Sequence, residues 1–288
     1  MFNCTLVRYG EIALKSDFVR LQFEKRLVKN IKIGLKSVGL AFPVRRLPGR
    51  VLIEGYDKSG FAVLERVFGV VSFSPCIVFE TDLEKIKKQA LKLAKKTIKK
   101  SDSFEVDCNR TGSHSFGSQE VERAVGAEIV RKIGCKVDLT KPDKTIGIDI
   151  RWEKTYIFSG STRGQGGIPV GTAGNVVSVV EDFNGVLASW LFMKRGCTIL
   201  PVFFKKQKKF VRALEKWSIG FNLKPVYLKK KSTKVIEKVA KDNRAAAIVT
   251  GETLDSLKEA RTSFAVFRPL VGFGEEDLDK LKRKIETA

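Results

Sequence analysis

The sequence predicts a multi-domain protein that combines an α+β part with an α/β part. Residues 1–79 follow the order β-α-β-β-α-β, which is typical of a ferredoxin-like domain. From residue 176 onward, short apolar strands alternate with helices, which indicates a doubly wound parallel sheet covered on both faces. A length of 288 residues suits two or three such domains.

The N-terminal elements follow from hydrophobic periodicity and from turn residues. They are a strand at 3–9, a helix at 17–38, strands at 42–47 and 50–54, a helix at 61–68 and a strand at 70–79. Pro48-Gly49 predicts the turn of a hairpin between the second and third strands, and Gly69 predicts the end of the second helix.

The middle of the chain predicts a second set of strands and helices. Its elements are a helix at 82–100, a strand at 104–109, a helix from Ser118, and strands at 136–139, 145–150 and 154–159. Ser118 is a candidate N-cap, because Glu120 and Glu122 in the first turn would interact favourably with the helix dipole. The first of these helices contains eight lysines, which we interpret as a solvated face rather than a dedicated groove.

The third part of the chain follows a segment rich in glycine. Residues 162–175 contain five glycines and one proline, which predicts a linker. Strands are then predicted at 176–180, 198–204, 224–228, 245–250 and 265–270, and helices at 185–194, 209–217, 232–241 and 275–285. The predicted domains are therefore 1–71, 72–161 and 176–288, with the linker between the last two.

The charge of the chain favours a polyanion as its partner. The formal net charge is +22, and the three parts 1–71, 72–171 and 172–288 contribute +7, +5 and +10. Because the excess is spread over the whole chain, it suits a folded surface that lies along a nucleic acid. The alternative interpretation is a lysine-rich surface that serves only solubility or thermal stability.

Composition excludes several other classes of protein. No stretch approaches the roughly 18 apolar residues of a membrane span, and the N-terminus has no pattern of a signal peptide, so we expect a cytoplasmic protein. Five cysteines without a CxxC pair argue against a disulfide framework or a zinc ribbon. With a single histidine, His114, a mechanism built on paired histidines is close to excluded.

Several segments, taken in order, resemble the tRNA 4-thiouridine synthetase family, the tRNA sulfurtransferases. They are Arg8–Ser16, Asn109-Arg110, His114–Ser118, Val121–Gly126, Val137–Asp143, Gly166–Thr172, Met193–Cys197, Val249–Glu252 and Arg268–Leu270. The resemblance implies an N-terminal ferredoxin-like domain, a THUMP domain and a shortened doubly wound domain of the adenine nucleotide α-hydrolase type. It also implies that the first two domains hold tRNA in its acceptor-end region.

Basic residues in and near these segments are candidates for contact with RNA. We select Arg8, Lys15, Arg20, Arg45, Arg46, Arg50, Arg110 and Lys141, together with His114 in a polar loop. Arginine and lysine bind phosphates and so position an RNA, whose fold is recognised as shape. For each of these residues the alternative is an ordinary solvated side chain.

The third domain departs from the family at its phosphate loop. The family has Ser-Gly-Gly-x-Asp-Ser, whose glycines let backbone N–H groups approach a pyrophosphate. Here the strand is followed by Glu181-Asp182-Phe183-Asn184-Gly185, which lacks both glycines and adds two carboxylates. The sequence therefore predicts a degenerate loop, with side-chain carboxylates in the cleft and no row of free N–H groups.

The resemblance also gives positions for a nucleotide and for sulfur chemistry. The remnant adenylate-binding positions are Val179, Val180, Asn184, Phe203, Phe204 and Gly251. ATP and Mg²⁺ are cofactors only if this site is retained. Cys108 and Cys197 are predicted to be buried rather than nucleophilic, and we expect no rhodanese domain, because the sequence ends at Ala288. No residue is therefore assigned a catalytic role.

Three functions remain open at this point. The first is a tRNA-binding protein of tRNA thio-modification that has lost ATP-pyrophosphatase activity and works with a separate catalytic or sulfur-donor protein. The second is an ATP-dependent tRNA sulfurtransferase that makes 4-thiouridine by adenylation of uridine. The third is a protein that binds another nucleic acid, such as rRNA. A homodimer is compatible with each of them.

Overall fold

The computed structural model of this chain describes residues 2–287, so residues 1 and 288, which bound two of the predicted domains, lie outside that range. The described chain forms two compact units. The first unit comprises residues 2–8, 42–57 and 72–163, and the second comprises residues 9–41, 58–71 and 164–287. Among the described residues, no helix is both long enough and apolar enough to cross a bilayer.

The first unit contains a nine-stranded sheet and two helices. The strands are β1 (Cys4–Arg8), β2 (Val44–Leu47), β3 (Arg50–Ile53), β4 (Ser72–Glu80), β5 (Ser103–Thr111), β6 (Lys136–Val137), β7 (Lys144–Arg151), β8 (Lys154–Ser159) and β9 (Thr162–Arg163). The helices are α3 (Leu83–Thr97) and α4 (Ser118–Ile133). The strand order is β2-β3-β1-β4-β8-β7-β5-β6, and β9 pairs with β4 beside β8.

Strand β4 joins the ferredoxin-like strands to the strands that follow them. One end of β4 pairs antiparallel with β1, in the register Cys4↔Cys76, and its other end pairs antiparallel with β8, in the register Ile77↔Ile157. The two predicted domains of this half of the chain therefore share one sheet. Helices α3 and α4 pack on one face of β5, β7 and β8 around buried side chains such as Ile86, as expected from their apolar stripes.

The second unit is built around a five-stranded parallel sheet. Its strands are β10 (Asn175–Val179), β11 (Thr198–Phe203), β12 (Val226–Tyr227), β13 (Ala247–Thr250) and β14 (Ala265–Phe267). Its helices are α1 (Asp17–Ser37), α2 (Phe61–Leu64), α5 (Phe183–Lys194), α6 (Lys208–Glu215), α7 (Thr233–Asp242) and α8 (Glu275–Thr287). The order β12-β11-β10-β13-β14 is that of a doubly wound sheet, which confirms the predicted fold class.

Aromatic side chains fill the core of the second unit. Phe68, Trp190 and Trp217 are at most 2% exposed, and the two indoles meet edge to face at 5.5 Å between centroids. Such packing contributes free energy beyond the area that it buries. The sequence expectation of a helix over 61–68 was too long, because α2 ends at Leu64 and the following turns place Phe68 in this core.

Two further differences from the sequence expectations concern polar segments. Gly117, and not Ser118, occupies the N-cap of α4, so Ser118 is the first helical residue. The predicted linker 162–175 begins with strand β9, and its later part is tied to α1, since Asn30 Nδ2 donates to the Val170 carbonyl (3.1 Å). Val170 itself is 1% exposed. This segment is therefore packed against the second unit from Gly164 onward.

Candidate functional site

The first unit has a cavity of about 690 Å³ on the sheet face opposite the two helices. It lies between the β2–β3 hairpin, the end of β4, the β5–α4 loop and the β7–β8 turn. The cations in its lining are Arg45, Arg151 and Lys154, and the acids are Glu80 and Glu153. The cavity therefore combines a small excess of positive charge with aromatic walls.

Trp152 forms an exposed aromatic wall of this cavity. It occupies the β7–β8 turn with φ at +55°, a conformation that a bulky residue rarely adopts, and 58% of its surface is exposed. The His114 Nε2–H donates to the Trp152 carbonyl (2.7 Å), and His114 Nδ1 accepts from Arg110 Nη1 (3.2 Å). These contacts require the Nε2–H tautomer of the imidazole. The backbone of the turn is thus held while its indole stays open to solvent.

Asp149 fixes two arginines behind the cavity. Its carboxylate is 2% exposed and accepts from Arg50 Nε (2.9 Å) and from Arg151 Nε. Arg151 also donates to Thr111 Oγ1 (2.7 Å) and Asn109 Oδ1 (3.1 Å). Both oxygens of this buried carboxylate accept hydrogen bonds, and these bonds replace its hydration. Two cations therefore share one anion at this point of the sheet.

Arg8 lies on the same face of the sheet, one strand from Arg50. Its guanidinium donates to Ser74 Oγ (3.1 Å) and stacks over the Phe158 ring, with 4.4 Å between Cζ and the centroid. Burial, followed by the neighbouring Arg50 charge, lowers the pKa of Arg8 from its usual value. The cation–π contact offsets part of this cost.

The structure brings together five of the nine residues selected for RNA contact. Arg45 and His114 line the cavity, and Arg8, Arg50 and Arg110 belong to the hydrogen-bonded groups beside it.

The other four selected residues lie elsewhere. Arg46 alternates with Arg45 along β2 and so points to the opposite face of the sheet, whereas Lys141 is exposed in the β6–β7 loop. Lys15 and Arg20 belong to the second unit, where Arg20 pairs with Asp17.

Sequence reasoning missed the residues of the β7–β8 turn. Trp152 and its cationic neighbours Arg151 and Lys154 were not selected. An aromatic residue between charged residues in a short turn, flanked by two predicted strands, was the signal that could have found them.

The second unit has a cleft of about 380 Å³ at the carboxyl ends of β10, β13 and β14. Strand order reverses between β10 and β13, and ligands of doubly wound sheets bind at such a switch point. The floor of the cleft is apolar and is formed by Val179, Ile248 and Val266. Its rim contains the loop that precedes α5, the start of α7 and the segment 251–262.

The loop before α5 presents carboxylates to this cleft. Glu181 and Asp182 both belong to the lining, as the sequence predicted. Asp182 is the N-cap of α5, and its side chain accepts from the Gly185 N–H at 3.2 Å. One of the backbone donors at this helix N-terminus is therefore bonded to a side chain of the protein.

Glycine at two positions allows a close approach of the loops. A Cβ atom on Gly251 would lie 2.4 Å from the Gly185 nitrogen and from the Asn184 carbonyl carbon. A Cβ atom on Gly185 would lie 2.7 Å from Val180 Cα. The loop after β13 consequently rests directly on the backbone at the start of α5.

Most of the charges in the cleft lining are paired with one another. Lys231 Nζ pairs with Glu181, and Arg268 Nε pairs with Glu252 at 2.5 Å. Arg268 Nη2 also donates to the Lys258 carbonyl at 2.8 Å. A ligand would thus meet an apolar floor and a rim on which most acids and bases already have partners, with Lys258 as a lining cation that has no ion pair among the described residues.

The structure places three of the six remnant adenylate positions in the cleft. Val179, Asn184 and Gly251 belong to its lining. Val180 and Phe203 are fully buried in the core of the unit, and Phe204 packs beside the second apolar cluster. The resemblance located the strand ends correctly, but it did not distinguish side chains that face the cleft from side chains that face the core.

None of the five cysteines is exposed. Cys108 and Cys197 are each 7% exposed, as predicted, and burial raises the pKa of both thiols, that of Cys108 to about 12. Within residues 2–287, no group of three or more His, Cys, Asp or Glu side chains has the arrangement of a metal site. The described chain thus offers no exposed thiolate and no metal centre made by its own side chains.

Family models match three stretches of the chain. The ThiI ferredoxin-like domain matches residues 4–74, the THUMP domain matches residues 80–159, and the model described as thiamine biosynthesis protein (ThiI) matches residues 216–288. The first two matches fall on the strands and helices of the first unit, apart from α1 and α2. The third covers the later part of the parallel sheet.

Relatives align along nearly the whole chain. A probable tRNA sulfurtransferase of Brevibacillus brevis is 31% identical over 333 residues, which cover 99% of this chain and 83% of the relative. A probable tRNA sulfurtransferase of Methanocaldococcus jannaschii is also 31% identical, with 98% and 87% covered.

Solved structures agree with these relatives. The crystal structure of PH1313 from Pyrococcus horikoshii Ot3 superimposes with a TM-score of 0.86 at 31% identity, covering 99% of both chains. A 4-thiouridine synthetase, solved as an RNA complex with bound ATP, gives a TM-score of 0.84 at 26% identity, covering 100% of this chain and 86% of that one. The chain therefore belongs to the tRNA sulfurtransferase family, with a ferredoxin-like domain, a THUMP domain and a nucleotide-binding α/β domain.

Proposed function

We propose that this chain binds tRNA through the ferredoxin-like and THUMP strands and does not activate uridine with ATP. The first half of the proposal is supported by the THUMP domain and by the related synthetase that was solved with RNA. The second half rests on one observation, the carboxylates of Glu181 and Asp182 at the start of α5.

The cavity of the first unit has the chemistry of an RNA contact. Unpaired bases stack on exposed aromatic side chains, and Trp152 offers such a surface. Arg45, Arg151 and Lys154 lie beside it, and each pairs with an acid of the chain, Glu54, Asp149 and Glu80 respectively. The pairs of Arg45 and Lys154 are exposed, so a phosphate can exchange for their acid partners at low cost. His114 holds the turn of Trp152, so its role is to position the indole rather than to take part in proton transfer.

Replacement of the indole tests this interface. We expect Trp152→Ala to weaken binding of a fluorescent tRNA by about tenfold, because stacking contributes about 1–3 kcal/mol per base. Leu139→Ala is the matched control, since Leu139 is 75% exposed and lies outside the cavity lining. Equal affinities of the two variants, measured by fluorescence anisotropy, would refute the assignment of this cavity.

The cleft of the second unit does not fit a triphosphate, because of its backbone donors and its carboxylates. A phosphate cradle needs several N–H groups free to point at the ligand, and the Gly185 N–H is bonded to Asp182. A phosphate charge about 5 Å from a carboxylate costs roughly 3 kcal/mol at an effective dielectric near 20. Lys231 and Arg268 already pair with Glu181 and Glu252, which leaves Lys258 as the lining cation without an ion pair among the described residues. We therefore propose that no ATP-dependent step takes place in this cleft.

An ATP-dependent tRNA sulfurtransferase is the second candidate function. The observation that favours it is the cleft itself, whose apolar floor lies at the switch point of the sheet and has room for a nucleoside. The ATP that is bound in the related synthetase also favours this function. Release of pyrophosphate on mixing the protein with ATP, Mg²⁺ and tRNA decides between the two, with that synthetase as the positive control.

Loss of ATP activation would make a second protein necessary for any thio-modification. The buried cysteines of this chain do not offer a thiolate, so a separate catalytic or sulfur-donor protein would supply the sulfur. Co-purification on immobilised chain, with and without tRNA, tests for such a partner and for a second copy of the chain. Competition of tRNA binding by rRNA tests the remaining alternative of another RNA ligand.

A further inference from the structure

A group of lysines lies at the carboxyl edge of the parallel sheet in the second unit. Lys205 and Lys206 lie between β11 and α6, Lys208 is the first residue of α6, and Lys229 and Lys230 lie between β12 and α7. We call these five residues the lysine rim. All five side chains are exposed.

The two loops of the rim start side by side. Strands β11 and β12 are parallel and adjacent, with Phe203 opposite Tyr227, and the Leu228 N–H donates to the Phe203 carbonyl at 2.8 Å. Lys205 and Lys229 each lie two residues beyond this pair, so they follow neighbouring positions at one edge of the sheet. The rim is thus one surface made of two sequence segments.

The charges of the rim are not neutralised by the protein. Adjacent lysines on these loops do have acid partners, since Lys209 pairs with Glu286 at 3.2 Å and Lys231 pairs with Glu181. Over residues 2–287, no ion pair involves any of the five rim lysines. Like charges at this density repel one another, and a polyanion would relieve the repulsion.

The helices that follow add to this positive potential. Neither α6 nor α7 has an acidic residue in its first turn, and α6 begins with Lys208. A cation at the positive end of a helix dipole opposes the stability of the helix. By contrast, α3, α4 and α8 have acidic residues in their first turns. A local conflict of this kind is expected where a surface serves a function rather than the fold.

An aromatic side chain completes the surface. Tyr227 is 48% exposed, and its ring stacks on Phe203 at 5.7 Å between centroids. Lysines interleaved with an exposed aromatic ring are typical of surfaces that bind RNA strands. A membrane surface would need an exposed apolar helix face as well. Here the apolar side chains of α6, and those of α7 apart from the exposed Val235, pack against the core clusters.

We propose that the lysine rim is a second RNA-binding surface, in the nucleotide-binding domain, that holds phosphodiester groups of the same RNA. This inference rests on the proposed function and extends it, because it assigns an RNA contact to the domain whose cleft does not fit a triphosphate. The rim lysines bind phosphates, and Tyr227 offers a face for a base.

The test compares two triple variants of equal charge. Lys205→Gln/Lys206→Gln/Lys208→Gln removes rim lysines, and Lys224→Gln/Lys238→Gln/Lys241→Gln removes exposed lysines at the amino end of β12 and along α7. Binding of a labelled tRNA transcript is measured by anisotropy at several salt concentrations. We expect the rim variant to bind about tenfold more weakly, with a slope of log K against log salt shallower by about 0.9 for each phosphate that the rim no longer binds. We expect the control to change less than threefold.

Two further sets of variants test whether the loss of tRNA binding is due to the positive charge of the rim. Lys229→Gln/Lys230→Gln should show the same direction, and arginine at the three rim positions should restore binding. Equal losses in the rim variant and the control would overturn the inference, as would rim-dependent binding to phosphatidylserine vesicles with unchanged tRNA affinity. Absence of tRNA binding by the unsubstituted chain would refute the proposed function. If the unsubstituted chain binds tRNA and the rim variants bind it with the same affinity, only the inference about the lysine rim is refuted.

Discussion

At the scale of single residues, the proposed RNA interface depends on a carboxylate that no ligand would touch. Asp149 is buried and joins Arg50 to Arg151, so it sets where both guanidinium groups lie. Its contribution is to position these cations. Their own contribution would be to phosphate binding.

Asp149→Asn should lower the free energy of unfolding by about 3 kcal/mol, because it leaves the buried Arg151 and the partly buried Arg50 without their counter-charge. Denaturant titration measures this loss. Glu54→Gln is the control, since Glu54 pairs with Arg45 at the surface and should contribute less than about 1 kcal/mol. Similar losses in both variants would contradict the structural role of Asp149.

Tyr156 gives a prediction about pH. The phenol is 1% exposed, and burial raises its pKa to about 12. In the unfolded chain it ionises near pH 10, so the unfolded state releases the proton first and stability falls as the pH rises from about 10 to 12. Tyr156→Phe should reduce this fall, which urea titrations at pH 9 and pH 11 would measure. An unchanged pH dependence would contradict the prediction.

Position 251 requires glycine, because the backbone of Asn184 and Gly185 lies where a Cβ atom would be. In Gly251→Ala the new Cβ would press on the Asn184–Gly185 backbone, which cannot rotate away as a side chain can. We expect a loss of about 2 kcal/mol in the free energy of unfolding. Gly272→Ala has open space at the Cβ position and should be close to neutral. A neutral Gly251→Ala would show that the loop after β13 can move away from α5.

At the scale of elements, helix α4 has a glycine in its interior and another at its C-cap, and the two have opposite roles. Gly126 lies in the helix interior with nothing near its Cβ position, so Gly126→Ala should stabilise the protein by about 0.5–1 kcal/mol. Gly134 ends the helix with φ at +77°, so Gly134→Ala should destabilise it by about 1 kcal/mol. Thermal unfolding should shift in opposite directions, and shifts of the same sign would contradict this account.

The positions of most elements could be predicted from periodicity and turn residues alone. The long helices α1 and α3 and the parallel strands β10 and β11 lie within a few residues of the sequence expectation. Strand β9 was not predicted, because two residues in a glycine-rich segment have no periodicity and pair only when β4 is present. The overlong prediction for α2 has a similar cause, since Phe68 is needed in a core that only tertiary structure defines.

The candidate sites were harder to predict than the elements. Arg45 and Lys154 are far apart in sequence and meet in one cavity only because the sheet places their strands near each other. The burial of Asp149, and the capping of Gly185 by Asp182, are likewise contacts that a pattern does not contain. The position of Glu181 and Asp182 in the cleft lining was predictable, because the loop after β10 could be compared residue by residue with the loop of the family.

At the scale of the whole molecule, positive charge is present in both compact units. The net charge of +22 is spread over every part of the chain, and both proposed RNA surfaces, the cavity beside Trp152 and the lysine rim, draw on it. The boundaries 1–71, 72–161 and 176–288 remain a prediction. Whichever of the two surfaces binds tRNA, the affinity should fall steeply as the salt concentration rises, because counterion release supplies most of the affinity.

The central claim is that this member of the tRNA sulfurtransferase family binds tRNA without using ATP. Isothermal titration of the purified protein with ATP and Mg²⁺, with and without tRNA, tests it most directly. We predict no saturable heat from ATP in either case, together with micromolar, salt-sensitive binding of tRNA. Saturable ATP binding would contradict the claim, and it would show that the carboxylates of Glu181 and Asp182 do not prevent a triphosphate from binding in the cleft.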